Sequence, residues 1–217
     1  MMAVISCLSQ KGGVAKSALA RLISREYGAR GNSVLLADLD TLQSTSTEWA
    51  ARRREAGILP PVEARTFESV KKALKDADGL DLLVLDGPGF ADRLSVEAAS
   101  ASAAIVLPTG TAVDDLRPTV RLAHELIEAG IKRRRLVFAL CRAGDSVREN
   151  DEAKAYIEAA GYACLEASWP ERAGYRQAHD EGRTATEVRH PSLKAKATQF
   201  AGALTGFLDP LIREIHS

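Results

Sequence analysis

Residues Ser9-Gln10-Lys11-Gly12-Gly13-Val14-Ala15-Lys16-Ser17 constrain the fold more than any other stretch of the chain. The apolar run Ala3 to Leu8 leads into them, and Leu19, Leu22, Ile23 and Tyr27 follow at helical spacing, so the stretch lies where a buried strand turns into a helix. Such a turn is suited to phosphate. Glycines let the backbone approach an anion, successive N–H groups and the helix N-terminus point at it, Lys16 adds a cation, and the Ser17 hydroxyl can ligate Mg²⁺. The general P-loop pattern has glycine where this chain has Gln10 and Ala15, but Lys11 directly before the glycine pair completes Lys-Gly-Gly-x-x-Lys-Ser. The plainer alternative is a glycine-rich turn carrying two solvated lysines.

The chain's 217 residues suit one α/β domain, residues 1–217, with a substantial core and no added recognition domain of ordinary size. Lys plus Arg equal Asp plus Glu at 29 each, so any attraction to nucleic acid must come from a local patch. Cys7, Cys141 and Cys164 are far apart in apolar runs, which excludes a Cys-x-x-Cys metal site and points to buried thiols in a cytoplasmic protein. The N-terminal apolar run lacks a basic leader, and nowhere do about 18 apolar residues run together, so neither secretion nor membrane insertion is expected.

Further along, Val34-Leu35-Leu36-Ala37 ends in Asp38-Leu39-Asp40, and Leu80 to Leu85 ends in Asp86. Carboxylates on alternate residues at a strand's C-terminal end share one side, where an open α/β sheet places its ligands, so Asp38 and Asp40 can both face the phosphates. Helix caps or solvated loop acids are the alternative for this pair. Asp86, an acid closing a buried run beside a P-loop, is suited to holding Mg²⁺ through a water. Four more strand candidates are Val62 to Arg65 at an edge, Ala103 to Pro108, Leu136 to Leu140 and Tyr162 to Leu165.

Helical patterns cover Ser44 to Arg54, Phe67 to Ala77, Asp114 to Ala129, Asp151 to Ala160, and Leu193 to Ile215 with an interruption at Asp209-Pro210. Arg52-Arg53-Arg54, in a last helical turn, read as complements to the helix dipole. Lys132 to Arg135 read either as a helix end and strand entry or as a contact to nucleic acid. Only Arg213 is basic in the last ten residues, so a terminal membrane anchor is not expected. Strands alternating with helices predict an α/β fold: a mostly parallel sheet covered by helices on both faces, of P-loop NTPase type.

Lys11 to Ser17, Asp38 to Asp40, and Leu80 to Asp86 together resemble the three motifs of the ParA/MinD family of deviant Walker A ATPases, in order and over nearly the whole chain. The chain looks most like short ParA-type partition ATPases without an N-terminal helix-turn-helix domain. The resemblance implies ATP and Mg²⁺ as cofactors. Lys11, Gly12, Gly13, Val14, Ala15, Lys16, Ser17 and Ala18 would hold the nucleotide, with Pro170 beside the adenine and Ser17 and Asp86 on the metal side.

By the same resemblance Lys11 reaches across a dimer, Lys16 meets the β and γ phosphates, and Asp40 positions the attacking water. Thr41-Leu42 departs from the family's Asp-Pro-Gln, and Gly87-Pro88-Gly89 stands where many members have Thr-Pro-Pro, as a loop sensing the γ-phosphate. The implied activity is ATP hydrolysis by a switch that dimerises with ATP, binds non-specific DNA on the nucleoid, and is stimulated by a ParB-like or other cargo-bound adaptor. Its cargo would be plasmid or chromosomal DNA. Alternatives are an ATPase of the same build positioning a protein assembly, and a dethiobiotin-synthetase-like ligase on the same scaffold; an iron–sulfur reductase is disfavoured by where the cysteines sit. Arg172 and Arg176, four apart, are the candidate DNA contacts, with surface pairing to Glu171 and Asp180 as the alternative.

Overall fold

The computed structural model describes residues 2–88 and 93–216. Its strands are β1 (Ala3–Cys7), β2 (Val34–Asp38), β3 (Glu63–Thr66), β4 (Leu82–Asp86), β5 (Ala104–Thr109), β6 (Leu136–Ala143), β7 (Ala163–Cys164) and β8 (Trp169–Pro170). Among the described residues they form one sheet in the order β3-β2-β4-β1-β5-β6-β7, with β8 also paired to β6, and every pairing is parallel. The fold is the expected α/β architecture, a parallel sheet covered by helices on both faces.

Side chains along β1 alternate between two cores, as a parallel sheet buried on both faces requires. Ala3, Ile5 and Cys7 meet Leu19, Leu22 and Ile23 of α1 (Lys16–Ala29), Trp49 of α2 (Thr45–Glu55) and Phe200 and Leu204 of the last helix. Val4 and Leu8 point the other way, into the core that holds Ala73 of α3 (Val70–Asp76), Ala98 of α4 (Arg93–Ala101), Leu122 of α5 (Val113–Glu128) and Ile157 of α6 (Val147–Ala159). The chain closes with α7 (Ala173–Asp180), a 3₁₀ turn at Ala185–Glu187, and α8 (Pro191–His216).

Helix boundaries differ from the sequence reading where a cap decides them. α3 starts at Val70 rather than Phe67 because the Ser69 hydroxyl accepts from the Lys72 N–H, and α6 starts at Val147 rather than Asp151 because Ser146 does the same for Glu149. The expected interruption at Asp209-Pro210 is absent: α8 runs through it. Proline there forgoes one backbone bond, but Phe200, Leu204, Leu208 and Leu211 stay buried, and Asp209 is tied to α1 by the Tyr27 hydroxyl at 2.6 Å and by Arg30.

The arginine triplet is corrected more sharply. Arg53 has no exposed surface; its guanidinium forms a two-bond pair with Glu187 (2.7 and 2.8 Å) and donates to the carbonyls of Pro60 and Gly182. Helical rotation turns the middle arginine inward, while the exposed Arg52 and Arg54 flank it. Gly182, at φ +77°, admits this close packing of α2, since a Cβ there would lie 2.5 Å from the Arg53 backbone nitrogen.

Candidate nucleotide site

β1 is the point at which strand order reverses, its neighbours being β4 and β5, and an open α/β sheet binds ligands in the crevice beyond that point. The loop from Ser9 to Ala15 sits there, directly ahead of α1. Two of its residues adopt the left-handed region: Gly13 (φ +79°) and Ala15 (φ +73°). Ala15 is therefore strained at the very position where the general pattern has glycine. The turn it makes lets α1 begin at Lys16 with its N-terminus open toward the cleft.

Two cavities flank this loop. One, of about 340 Å³, is lined by Lys11, Gly12, Gly13, Lys16, Ser17, Asp40 and Thr45, among others. The other, of about 170 Å³, lies between Gly13, Ala15 and Ala18 on one side and Trp169, Pro170 and Tyr175 on the other. The first gathers cations, hydroxyls and backbone N–H groups and suits phosphates. The second is predominantly apolar and suits a base, with Pro170 on its wall. Val14 is buried beneath the loop.

On the polar side Lys16 Nζ lies 3.4 Å from Asp86 Oδ1. Asp86 is buried and is the register partner of both Cys7 and Asp38, so the carboxylates closing β2 and β4 stand side by side. The expectation that Asp38 faces the phosphates is corrected. Its carboxylate turns inward and accepts the N–H groups of Ser46 (2.8 Å) and Asp40 (3.1 Å), bonds that anchor the chain into α2. Burial, and then the charge of Asp86, push the Asp38 carboxyl up; those backbone bonds oppose the shift. Asp40 does line the cleft, and its Oδ1 accepts from Leu42 (3.2 Å) and Gln43 (3.1 Å), closing the turn that Thr41 and Leu42 create.

The Lys11 ammonium is ion-paired with Asp115 in the first turn of α5. Gly89, the last residue of the expected γ-phosphate loop, lies outside the described residues, while Gly87 packs against Leu8 so closely that a Cβ would lie 2.7 Å from its Cδ2. Among the described residues no cluster of three His, Cys, Asp or Glu could cage a metal. A hydroxyl and one carboxylate beside a phosphate cleft fit Mg²⁺, which keeps waters and takes few protein ligands.

Arg172 and Arg176 line the apolar cavity. Arg172 is the cap residue before α7 and pairs with Asp145; Arg176 pairs with Glu171, which also accepts from Arg142 at 2.8 Å. Arg172 precedes the helix that carries Arg176, both border the same cavity, and each is held by a carboxylate.

Three residues at the site went unmarked in the sequence. Arg142, left-handed at φ +56° near the C-terminal end of β6, donates to the Gly13 carbonyl, clamping the loop. Ser46 joins Asp38 to Asp86. Arg21, one turn into α1 and buried, donates to the Ser46 hydroxyl; burial holds its guanidinium below the usual range while the neighbouring Asp86 and Asp38 charges oppose this. The only signal for Arg21 is its place within the apolar stripe of α1, between Leu19 and Ile23.

No protein-family model matches the chain. Among curated proteins it is similar to "Maintenance of carboxysome distribution protein A" of Gloeobacter kilaueensis, 30% identical over 125 residues, which is 57% of this chain and 56% of that protein, so the match spans about half of the relative's length. Among solved structures, the septum site-determining protein MinD of Pyrococcus horikoshii in complex with Mg-ADP superposes with a TM-score of 0.73 at 21% identity, covering 94% of this chain and 96% of that one. Apo McdA of Cyanothece gives a TM-score of 0.73 at 17% identity, over 94% and 100%. At such identities the structural likeness establishes the fold.

Proposed function

We propose that this chain is a member of the ParA/MinD family of deviant Walker A ATPases and an ATP-dependent dimerising switch that positions a protein assembly, a reading that its fold, its three motifs and its similarity to a carboxysome distribution protein support. The observation that carries the nucleotide half is the strained loop between two cavities, with Lys16, Ser17, Asp40 and Asp86 gathered on its polar side. The backbone N–H groups of Gly12 to Lys16 and the start of α1 hold the phosphates, and Lys16 offsets their charge. Ser17 and Asp86 would hold Mg²⁺, which would supply positive charge beside the phosphates. Asp40 orients the attacking water, and Lys11 leaves Asp115 to reach the nucleotide of a second copy.

The sequence reading puts DNA first as cargo. Similarity to a carboxysome distribution protein favours a protein assembly instead. In this reading non-specific DNA is the surface on which the dimer is held, a cargo-bound adaptor stimulates hydrolysis, and the protein works in the cytoplasm. The DNA contact rests on the family resemblance; Arg172 and Arg176 would have to leave Asp145 and Glu171 to make it. No helix of the described residues is long and apolar enough to cross a membrane.

Sedimentation with ATP, ADP and no nucleotide tests the switch: a dimer is expected with ATP alone. Deleting the encoding gene tests the cargo. Clustering of a protein assembly with normal plasmid and chromosome inheritance is expected; faulty inheritance with normally spaced assemblies would restore DNA as cargo.

A further inference from the structure

We propose that Ser46 is the positioning residue for Asp86, and that through it the loop carrying Asp40 controls the carboxylate on the metal side of the cleft. The proposal rests on the nucleotide reading above. Ser46 has no exposed surface, and three groups meet it: Asp38 Oδ2 accepts its N–H at 2.8 Å, Asp86 Oδ2 lies 2.8 Å from its hydroxyl, and Arg21 Nε lies 3.1 Å from the same hydroxyl.

The direction of these bonds is dictated by chemistry. A guanidinium only donates, so the serine oxygen must accept from Arg21, and its single proton is committed to Asp86. A buried chain Arg21→Ser46→Asp86 results, each bond having one charged partner. It fixes one oxygen of Asp86 toward the interior. The other oxygen, Oδ1, is the one beside Lys16 at the cleft. Without the hydroxyl, Asp86 Oδ2 would lose its donor and Arg21 Nε its acceptor, in a place where water does not replace either.

Ser46 also stands where the Asp40 loop ends. Asp40 takes the N–H groups of Leu42 and Gln43 on its side chain and that of Ser44 on its carbonyl at 2.8 Å; Ser44 then turns left-handed at φ +46°, and α2 begins at Thr45. From Asp40 to Ser46 the backbone is thus a short tied unit with the water-positioning acid at one end and the Asp86 hydrogen bond at the other. A shift of the loop lifts Ser46 away from Asp86, and the orientation of Asp86 depends on the loop being seated.

Binding of a fluorescent ATP analogue to the full chain, titrated with Mg²⁺ and repeated in EDTA, tests this in the wild type, Ser46→Ala, Ser46→Cys and Ser46→Thr. For Ser46→Ala the half-saturating Mg²⁺ concentration should rise on the order of tenfold, the cost of one charge-assisted hydrogen bond, while affinity in EDTA stays within about twofold. Amides 42 to 46 should exchange hydrogen faster. Ser46→Cys, which keeps the volume with a weak donor, should move the same way by less, and decides the matter should Ser46→Ala fold poorly. Ser46→Thr, which keeps the hydroxyl, should restore the wild-type Mg²⁺ requirement. An unchanged Mg²⁺ requirement in both Ser46→Ala and Ser46→Cys overturns the proposal, as does an equal loss of affinity with and without Mg²⁺, which would mark a merely structural role. A wild type that binds no nucleotide in either condition would instead sink the nucleotide reading.

Discussion

The Lys11 ammonium is held in the monomer by the Asp115 carboxylate, so the lysine assigned to a partner's nucleotide is already engaged within its own chain. The pair is partly exposed, with 47% of the Lys11 side chain open to solvent, and a pair of that kind contributes only about 0.2–1 kcal/mol. Both subunits release such a pair on dimerising, so Asp115→Asn should tighten ATP-dependent dimerisation by about two- to thirtyfold without altering the monomer's affinity for ATP. Lys11→Ala should bind ATP normally and fail to dimerise. Sedimentation equilibrium with a non-hydrolysable analogue measures both, and normal dimers from Lys11→Ala would remove the lysine from the interface.

Asp40 lines the cleft, Asp86 lies buried behind Lys16, and their losses should separate. Asp40→Asn keeps the side-chain oxygen that accepts from Leu42 and Gln43, leaves the loop seated and Asp86 in place, and should accumulate an ATP-bound dimer with slow turnover. Asp86→Ala should weaken Mg²⁺-dependent binding from the start, and Lys16→Ala should abolish nucleotide binding, since it removes the cation nearest the phosphates. Equal loss of ATP affinity in Asp40→Asn and Asp86→Ala would show that Asp40 is a ligand and not a water-positioning group.

Arg53 and Glu187 form the main buried ion pair on the α1 face, and their bond joins α2 to the turn ahead of α8. Burial alone would push the Glu187 carboxyl up. The Arg53 and Thr184 hydrogen bonds, with the Arg53 and Arg25 charges, more than offset this and hold it below the usual range. Arg53→Ala should cost about 3–5 kcal/mol, because it strands a buried carboxylate, whereas Arg53→Met combined with Glu187→Leu should recover most of the loss. Urea denaturation of the wild type, Arg53→Ala, Arg53→Met, Glu187→Leu and the double variant checks this; losses that simply add in the double would mean the two residues act separately.

The parts of this molecule legible in its sequence are those written as local pattern. The strands are apolar runs because both sheet faces are covered, and the P-loop and Asp86 stand out because each closes such a run. Arg53 was misread because its meaning depends on Glu187, 134 positions away, and a run of three arginines does not reveal which one turns inward. Ser46 is one of several small polar residues opening a helix; only the register of β2 against β4 puts Asp38 and Asp86 around it. Asp38 looked like a cleft acid because alternation along a strand predicts the side it takes, not the backbone N–H groups of α2 that claim it.

Burial of His179 gives stability a pH dependence whose sign follows from its lowered pKa. Its ring borders the apolar cavity, but both ring nitrogens are buried without a hydrogen-bond partner, and burial, followed by the nearby Arg21 charge, pushes its pKa down to about 4; Glu187 opposes the shift weakly. The native imidazole is thus neutral where an unfolded histidine, near 6.5, already takes a proton. Above about pH 6.5 neither state is charged and the contribution of His179 is complete. Between 6.5 and about 4 the unfolded state binds a proton that the native state refuses, so stability falls as pH falls, and below about 4 the loss stops growing. Carboxylates also titrate in this range, so the informative quantity is the difference between the wild type and His179→Leu. The urea midpoint of the wild type should drop more steeply from pH 7.5 to 4.5 than that of the variant; parallel slopes would mean that the ring finds a partner that keeps it protonated in the fold.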